Sequence, residues 1–184
     1  EIVDRYLSTA GADTSTDLAS RVDRRGTGRM RMTSFEVLVD GMRTSDIVQS
    51  GDAVQFIIGY EADSVERLRN VCFDLQITDM FGQMVGICGS YFTNEDFERL
   101  PNTGSVTCTI PCLPLAPDNY RVNLAAFLNA EQADAVVDAA GFTVVHGDFY
   151  RTGKLPKRHI NGALLFQYKW AMAGAPPVPT PQRS

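Results

Sequence analysis

The sequence lacks the long apolar runs, the basic excess and the leader segment that mark membrane, nucleic-acid-binding or secreted proteins. No stretch of its 184 residues approaches the roughly 18 consecutive apolar residues that a membrane span requires. The formal net charge of −5 argues against nucleic acid as a partner, because phosphate binding usually shows as an excess of Lys and Arg. No charged start followed by an apolar segment and a small-residue cleavage site is present, which predicts no secretory signal. Because the chain begins with Glu1 rather than Met, we expect a fragment of a longer protein.

Residues for metal binding and nucleophilic catalysis are also scarce. The two histidines, His146 and His159, are far apart and no Cys-x-x-Cys pair exists, so a zinc site is not supported. The G-x-x-x-x-G-K-[ST] loop of nucleotide hydrolases and the G-x-S-x-G motif of acyl transferases are both missing. We therefore predict no metal, no cofactor and no catalytic activity for this chain. The cysteines are predicted to be reduced and packed as small apolar side chains, with disulfides as the alternative: Cys72, Cys88, Cys108 and Cys112.

A pair of catalytic carboxylates is the remaining route to an enzyme. Glycoside hydrolysis needs two carboxyl groups within about 5–10 Å of each other across a cleft. Of the few acids on the predicted strands, only Asp74 lies mid-strand at an outward-facing position. A glycosidase would need a second carboxylate brought near Asp74 by the fold, so we do not favour this function.

What the sequence does contain is a series of short segments in which apolar and polar residues alternate, as they do in half-buried strands. The predicted strands are Arg29–Val39, Ala53–Tyr60, Val71–Thr78, Met84–Ser90, Ser105–Ile110, Tyr120–Phe127 and Phe142–Val145. The apolar phase shifts between Met32 and Phe35, which predicts a β-bulge there. Pro117-Asp-Asn-Tyr120 resembles the corner at which a Tyr near a strand start ties down the preceding connection in immunoglobulin-like domains. Turn sequences separate the strands and no long helix intervenes, so we predict an antiparallel β-sandwich.

Composition divides the chain into four parts. Residues 1–25 are predicted to be a linker with a helical remnant of a preceding domain, because Ser, Thr, Asp, Gly and Ala dominate after residue 7. Residues 26–150 form the predicted sandwich. Residues 151–170 are a basic arm followed by a last strand, and the tail at 171–184, with four prolines, is predicted to be disordered or extended.

The last predicted strand places large apolar side chains on one face: Leu164, Phe166, Tyr168 and Trp170. About fifteen residues separate it from the preceding strand, so it need not pair with its own sheet. We predict its exchange with a second copy in a homodimer. The arm carries several Lys and Arg residues and no acid, which is typical of a solvated loop or of contact with an anionic glycan, membrane or protein partner.

Polar side chains opposite the core residues of three strands suggest a binding surface. If those strands are neighbours, they combine the amide, carboxylate and guanidinium groups of Gln55, Asp74, Gln76, Arg121 and Asn123. Such groups pair with sugar hydroxyls, and aromatic rings pack on sugar C–H groups; Tyr60 and Tyr91 are our candidates for such rings. The alternative is an ordinary solvated sheet face, which antiparallel sandwiches present by default.

Motifs spread over nearly the whole chain resemble the carbohydrate-binding C-terminal domain of Wzt-type ATP-binding subunits of O-antigen polysaccharide ABC transporters. Ser50-Gly-Asp-Ala-Val-Gln-Phe56 is similar to a strand start of that family, and Asp74-Leu-Gln-Ile-Thr-Asp79-Met-Phe-Gly82 to its D-x-x-G turn. Leu115-Ala-Pro-Asp-Asn-Tyr120 resembles its L-x-P-G-x-Y corner, with Asp118-Asn119 in place of the usual Gly. The segment from Phe142 to Gly153 resembles its F-x-V-x-x-G-D-F-F/Y-G-T-G ending, and Trp170 matches a Trp that closes the final strand.

The resemblance implies an immunoglobulin-like sandwich, a dimer with exchanged C-terminal strands, and binding of the exported glycan at an exposed sheet face. In some members the bound part is a modified non-reducing chain end. The implied partners are lipid-linked O-antigen polysaccharide, a second copy, and the nucleotide-binding domain and transmembrane subunit of a transporter. The implied location is the cytoplasmic face of the bacterial inner membrane. The other hypothesis is a dimerisation and docking domain without glycan affinity of its own.

Overall fold

The computed structural model describes residues 15–43, 46–63 and 68–170. The helical remnant predicted before residue 15 and the tail predicted at 171–184 lie outside the described residues. The strands, in chain order, are β1 (Thr16–Asp17), β2 (Arg24–Arg25), β3 (Arg31–Val39), β4 (Met42–Arg43), β5 (Ile47–Gln49), β6 (Val54–Glu61), β7 (Leu68–Asp79), β8 (Met84–Gly89), β9 (Phe97–Leu100), β10 (Thr103–Ile110), β11 (Asp118–Leu128) and β12 (Glu131–Val145). A 3-10 turn spans Ser90–Phe92, and one short helix, α1, spans Arg158–Asn161.

The strands form two sheets, which confirms the predicted all-β sandwich. The five-stranded sheet has the order β1-β3-β6-β10, with β4 also paired to β3. The seven-stranded sheet has the order β2-β12-β11-β7-β8, with β5 added to β12 and β9 to β7. The pairings are antiparallel except that of β5 with β12. The bulge predicted between Met32 and Phe35 is confirmed, because the β3–β6 register shifts between Met32 and Ser34.

Aromatic side chains join the two sheets in one core. The ring of Phe56 on β6 lies 5.6 Å from that of Phe142 on β12, and Phe142 stacks on Tyr120 at 5.7 Å. The buried Tyr120 hydroxyl donates a 2.7 Å hydrogen bond to the Ala116 carbonyl. This bond ties the connection before β11 to the start of that strand, as the corner motif predicted.

The sheets extend beyond the predicted strands. The sequence predicts no strand at residues 131–141, since Ala, Asp and Gly have a low strand preference. In the structure they form the first part of β12, which pairs with β11 on one side and with β2 and β5 on the other. The short strands β5 and β9 were likewise not predicted, since three or four residues are too few for alternation to be visible.

Residues 15–25 are attached to both sheets rather than connected to them as a free linker. β1 pairs with β3 and β2 pairs with β12. The Arg24 and Asp134 side chains, which are 9% and 2% exposed, form a 2.6 Å ion pair, and Asp134 also accepts from the Met32 N–H. Gly26 follows with φ +125°, and a Cβ there would lie 2.6 Å from the Ala133 carbonyl oxygen, so only glycine fits. The sandwich therefore includes residues that precede the predicted boundary at 26.

The C-terminal arm folds back onto its own sandwich. The Arg158 guanidinium donates to Asp118 and, at 3.1 Å, to the buried Asp79. Beyond α1 the chain is extended, and a single antiparallel bridge joins Leu164 to Leu115. The predicted strand at 164–170 is not formed beyond this bridge. Leu165 is buried, whereas the side chains predicted to share one face are exposed: Leu164, Phe166, Tyr168 and Trp170. Their exchange with a second copy stays a prediction.

Candidate functional site

Four of the predicted polar residues lie on the outer surface of the seven-stranded sheet. β7 and β11 are neighbours, and Gln76 is directly opposite Asn123 in their register. Asp74 is opposite Ala125, and Arg121 is opposite Thr78. Side chains at alternate positions share a face, so Asp74, Gln76, Arg121 and Asn123 form one surface, which we call the outer face.

Two predicted site residues are elsewhere. Gln55 lies on β6 in the other sheet, because β6 pairs with β3 and β10 and not with β7. Tyr60 is 3% exposed and its ring packs 6.0 Å from that of Phe73 in the core. The prediction of a shared face for Gln55 and of a ring platform at Tyr60 was therefore wrong. The alternation along β6 was visible in the sequence, but the sheet to which the strand belongs was not.

A bulge in β12 builds the upper part of the outer face. Between the pairs Val122–Ala140 and Leu124–Val136, three β12 residues face the single β11 residue Asn123, whose side chain accepts from the Asp138 N–H at 2.9 Å. Arg121 donates to the Asp138 carboxylate at 2.9 Å, with both side chains about half exposed. The guanidinium is thus held in place by Asp138, a residue that could not be placed without the missed part of β12.

The lower part of the outer face contains a notch around Asp74. This side chain is only 8% exposed, and its Oδ1 has no hydrogen-bond partner within the part of the chain that the structure describes. Small residues flank it, Ala125 on β11 and Gly89 on β8. A Cβ at Gly89 would lie 2.7 Å from Asp74 Oδ1, 2.8 Å from Tyr91 and 3.0 Å from Phe92. The carboxyl group and two partly exposed rings therefore pack so closely over Gly89 that no larger residue fits there, and we call these four residues, Asp74, Gly89, Tyr91 and Phe92, the Asp74 notch.

Hydrogen bonds to β7 hold the turn that carries the two rings. The Phe73 N–H donates to Ser90 Oγ at 3.1 Å, and Ser90 Oγ donates to Asp96 at 2.6 Å. Burial raises the pKa of Asp74, and the nearby Asp96 carboxylate raises it further. Burial and a hydrogen bond to Asp96 raise the pKa of Cys72 to about 11. Among the residues that the structure describes, the carboxyl group of the notch has no countercharge, and one of its oxygens has no protein donor.

Comparison with known proteins decides the family. A model of the family described as the Wzt C-terminal domain matches residues 21–155. The chain belongs to this family. A crystal structure of the C-terminal domain of Wzt superposes with a TM-score of 0.66 and 11% identity, over 83% of this chain and 90% of that one. At this identity the likeness shows the fold. No curated protein matches the sequence.

Membership in the Wzt C-terminal domain family implies a role in the Wzt ABC transporter. The match begins at residue 21, so it includes β2 and the Arg24 side chain that the structure places in the sandwich. Among residues 15–43, 46–63 and 68–170, no helix has the length and apolar character that a bilayer span demands. In the same described ranges, no three His, Cys, Asp or Glu side chains are grouped as a metal site would require.

This Wzt-family domain has a second exposed aromatic group at its C-terminal end. The ring of Tyr168 lies 5.7 Å from that of Tyr150 and 6.5 Å from that of Trp170, which is 91% exposed. A cleft of about 890 Å³ beside them is lined by polar and charged residues, among them Asp52 and Arg151. The lining of this cleft includes Tyr168, which is part of the segment predicted to be exchanged. Any strand exchange between two copies would therefore change this surface.

Proposed function

We propose that this domain is a non-catalytic carbohydrate-binding module that recognises lipid-linked O-antigen polysaccharide for export, including a modified non-reducing end of the chain. Family membership supports the transporter context, and the Asp74 notch supports the choice of ligand. The observation that carries the proposal is the buried Asp74 oxygen without a protein donor, beside two exposed aromatic rings.

The Asp74 notch offers partners for both the hydroxyl groups and the C–H groups of a sugar. A buried carboxylate oxygen without a partner is costly to the fold, and a sugar hydroxyl can donate the missing hydrogen bond. The rings of Tyr91 and Phe92, with centroids 4.1 Å apart, offer an apolar surface for the C–H groups of the same sugar. The absence of a side chain at Gly89 keeps the carboxyl group and the rings close enough to contact one sugar unit.

The rest of the outer face extends this contact along a chain. Gln76 and Asn123 present amides that both donate and accept, and Arg121 adds a donor fixed by Asp138. A polysaccharide that lies along β7 and β11 would meet the notch at one end and Arg121 at the other. These groups bind hydroxyls without reacting, which agrees with a recognition role.

The test is retention of purified domain on immobilised lipopolysaccharide from its source strain, against that of another serotype. We expect Asp74→Asn to weaken binding roughly ten- to a hundredfold, because a hydrogen bond to a charged acceptor contributes about 1.5–3 kcal/mol. Tyr91→Ala and Arg121→Ala should also weaken it without unfolding the domain. Asp40→Asn is a matched control, since Asp40 is exposed and lies in the turn between β3 and β4 of the other sheet. Unchanged retention of the first three variants would contradict the assignment of the site.

The proposal includes the partners and location that the family implies. We propose that the domain acts at the cytoplasmic face of the bacterial inner membrane, with the nucleotide-binding domain and the transmembrane subunit of the transporter. Co-purification of the full-length protein with the transmembrane subunit tests this part. Loss of glycan retention with intact co-purification would separate the two parts of the proposal.

A dimerisation and docking domain without glycan affinity is the second candidate. It is favoured by the outward-facing apolar side chains after α1, namely Leu164, Phe166, Tyr168 and Trp170. We propose that a second copy covers them by strand exchange. Deleting residues 161–184 and measuring the molecular mass in solution tests this idea, and a product that stays dimeric would rule out the arm as the source of association.

A further inference from the structure

One side of the sandwich is open, and a cysteine from each sheet lies in the opening. β8 and β10 are edge strands of their respective sheets, and a cleft of about 560 Å³ lies between them. Cys88 on β8 is opposite the core residue Leu75, and Cys108 on β10 is opposite the core residue Phe56. Residues directly opposite each other share a face, so both thiols point into the space between the sheets.

The two thiols face the same cleft across this opening. Cys88 and Cys108 are both half-buried, both line the cleft, and each shifts the pKa of the other. The other two cysteines are placed differently. Cys72 interacts with Asp96 beneath the turn on the outer face, and Cys112 lies 3.9 Å from the Gln167 amide near the C-terminal arm.

We propose that Cys88 and Cys108 form a reversible disulfide when they meet a low-molecular-weight disulfide such as oxidised glutathione, and that this bond closes the open edge of the sandwich. Disulfides join residues whose Cβ atoms are about 3.5–4.5 Å apart. Cys88 and Cys108 point into one cleft from facing edge strands, so closing the space between those strands brings the two thiols together. β8 and β10 belong to different sheets and are not paired by backbone hydrogen bonds. The disulfide would therefore add a covalent link between the two sheets at an edge where the backbone does not connect them.

The chemistry proceeds in two exchange steps. The Cys88 thiolate attacks one sulfur of oxidised glutathione, which forms a mixed disulfide and releases the first glutathione thiolate. Cys108 then loses its proton, and its sulfur attacks the Cys88 sulfur and displaces the second glutathione. In total, two protein thiols become one disulfide, and one oxidised glutathione becomes two reduced molecules.

The surroundings of the two thiols set the order of these steps. The neighbouring Cys108 thiol lowers the pKa of Cys88 to about 7, whereas Cys88 and burial raise the pKa of Cys108. The larger thiolate fraction of Cys88 near neutral pH makes it the nucleophile that we expect to attack first. The step from mixed disulfide to closed disulfide is favoured because Cys108 already faces the same cleft.

The location connects this bond to the turn of the outer face. Cys88 directly precedes Gly89 and the Ser90–Phe92 turn, so a covalent link to β10 would restrain the strand from which Tyr91 and Phe92 extend. This consequence rests on the proposed glycan site, whereas the disulfide itself does not.

The experiment treats the purified domain with oxidised glutathione at pH 7 and maps the products by intact mass and by peptide mass spectrometry. We expect the loss of two hydrogen atoms and a peptide pair that joins Cys88 to Cys108, reversed by dithiothreitol. The Cys72→Ser/Cys112→Ser double variant should close equally fast, and Cys108→Ser should stop at the glutathione adduct of Cys88. Oxidation should raise Tm by roughly 6–12 °C, from the usual stabilisation by a disulfide across a loop of this size.

Three results would overturn the inference. They are a disulfide that involves Cys72 or Cys112, a wild-type product that retains glutathione on Cys88, and an unchanged mass at oxidant concentrations that modify a small-molecule thiol. Wild-type peptide mapping decides the question even if a serine variant fails to fold. Glycan retention is measured separately, so failure of the disulfide is distinguishable from failure of the carbohydrate site.

Discussion

Replacing Asp74 by Asn should make the domain more stable at neutral pH while weakening its binding to glycan. Burial raises the pKa of this carboxyl group above its ordinary value of 3.8, so the folded state holds the proton more tightly than the unfolded chain. Stability therefore falls as pH rises from about 3.8 through the folded-state pKa and is constant above it. Asn cannot ionise, so the variant escapes this loss.

The expected gain in unfolding free energy follows from the burial of the Asp74 Oδ1 atom without a hydrogen-bond partner among the described residues. A buried polar atom without a partner costs about 1–3 kcal/mol, and since Asn keeps an unpaired amide we expect the lower value, about 1 kcal/mol. For a domain of this size that corresponds to a rise in Tm of roughly 2–4 °C at pH 7. The gain should shrink as the pH is lowered through the folded-state pKa of Asp74, because the wild-type carboxyl group becomes protonated over that range.

The assay is thermal unfolding of wild type, Asp74→Asn and the exposed control Asp40→Asn at pH 7 and pH 4. A variant that is less stable than wild type at pH 7 would refute the reasoning, as would an equal gain at both pH values. Binding supplies the second readout. A sugar hydroxyl that donates to Asp74 favours the ionised form, so wild-type affinity should rise with pH through the same window and the variant's should not.

Three further predictions concern the parts of the sandwich that hold the site in place. A chain that starts at residue 26 should lose about 3–5 kcal/mol of unfolding free energy in urea titrations, because Asp134 would keep its buried charge without Arg24; equal midpoints would contradict this. Tyr120→Phe removes one buried hydrogen bond and should cost about 1 kcal/mol by the same measurement, while a stabilised variant would show that the corner bond is strained. Arg158→Ala should release the arm from Asp79, so trypsin should cleave at the other Lys and Arg residues of the arm several-fold faster, and an unchanged cleavage rate would mean that other contacts hold it.

The sequence was sufficient for the strands whose large apolar side chains alternate. β6, β10 and β11 begin and end within a few residues of their predictions, because β-branched and aromatic residues at every second position favour a half-buried strand. The first half of β12 was missed because its Ala and Asp residues have weak strand preference. It is a strand because β11 pairs with one of its edges and β2 and β5 pair with the other. The residues of β2 and β5 are distant in the sequence, so the local pattern does not reveal these pairings.

The candidate site shows the same division between local and distant information. Alternation placed Asp74, Gln76, Arg121 and Asn123 on outward-facing positions, and this was correct. Sheet membership depends on which strands meet, so the same reasoning grouped Gln55 with them wrongly. The burial of Asp74 could not be predicted either, because it is caused by a turn that returns over the sheet some fifteen residues later.

The ion pair between Arg24 and Asp134 has a consequence for how the chain folds during its synthesis. Its two residues are 110 positions apart, so β2 leaves the ribosome long before the strand that will hold it. At about 5–20 residues per second, the Arg24 side chain waits roughly 5–20 s for its partner. β5 waits for the end of the same strand. Throughout that interval the nascent sandwich lacks one edge of its larger sheet, so the last long strand to be made is the one that completes the domain.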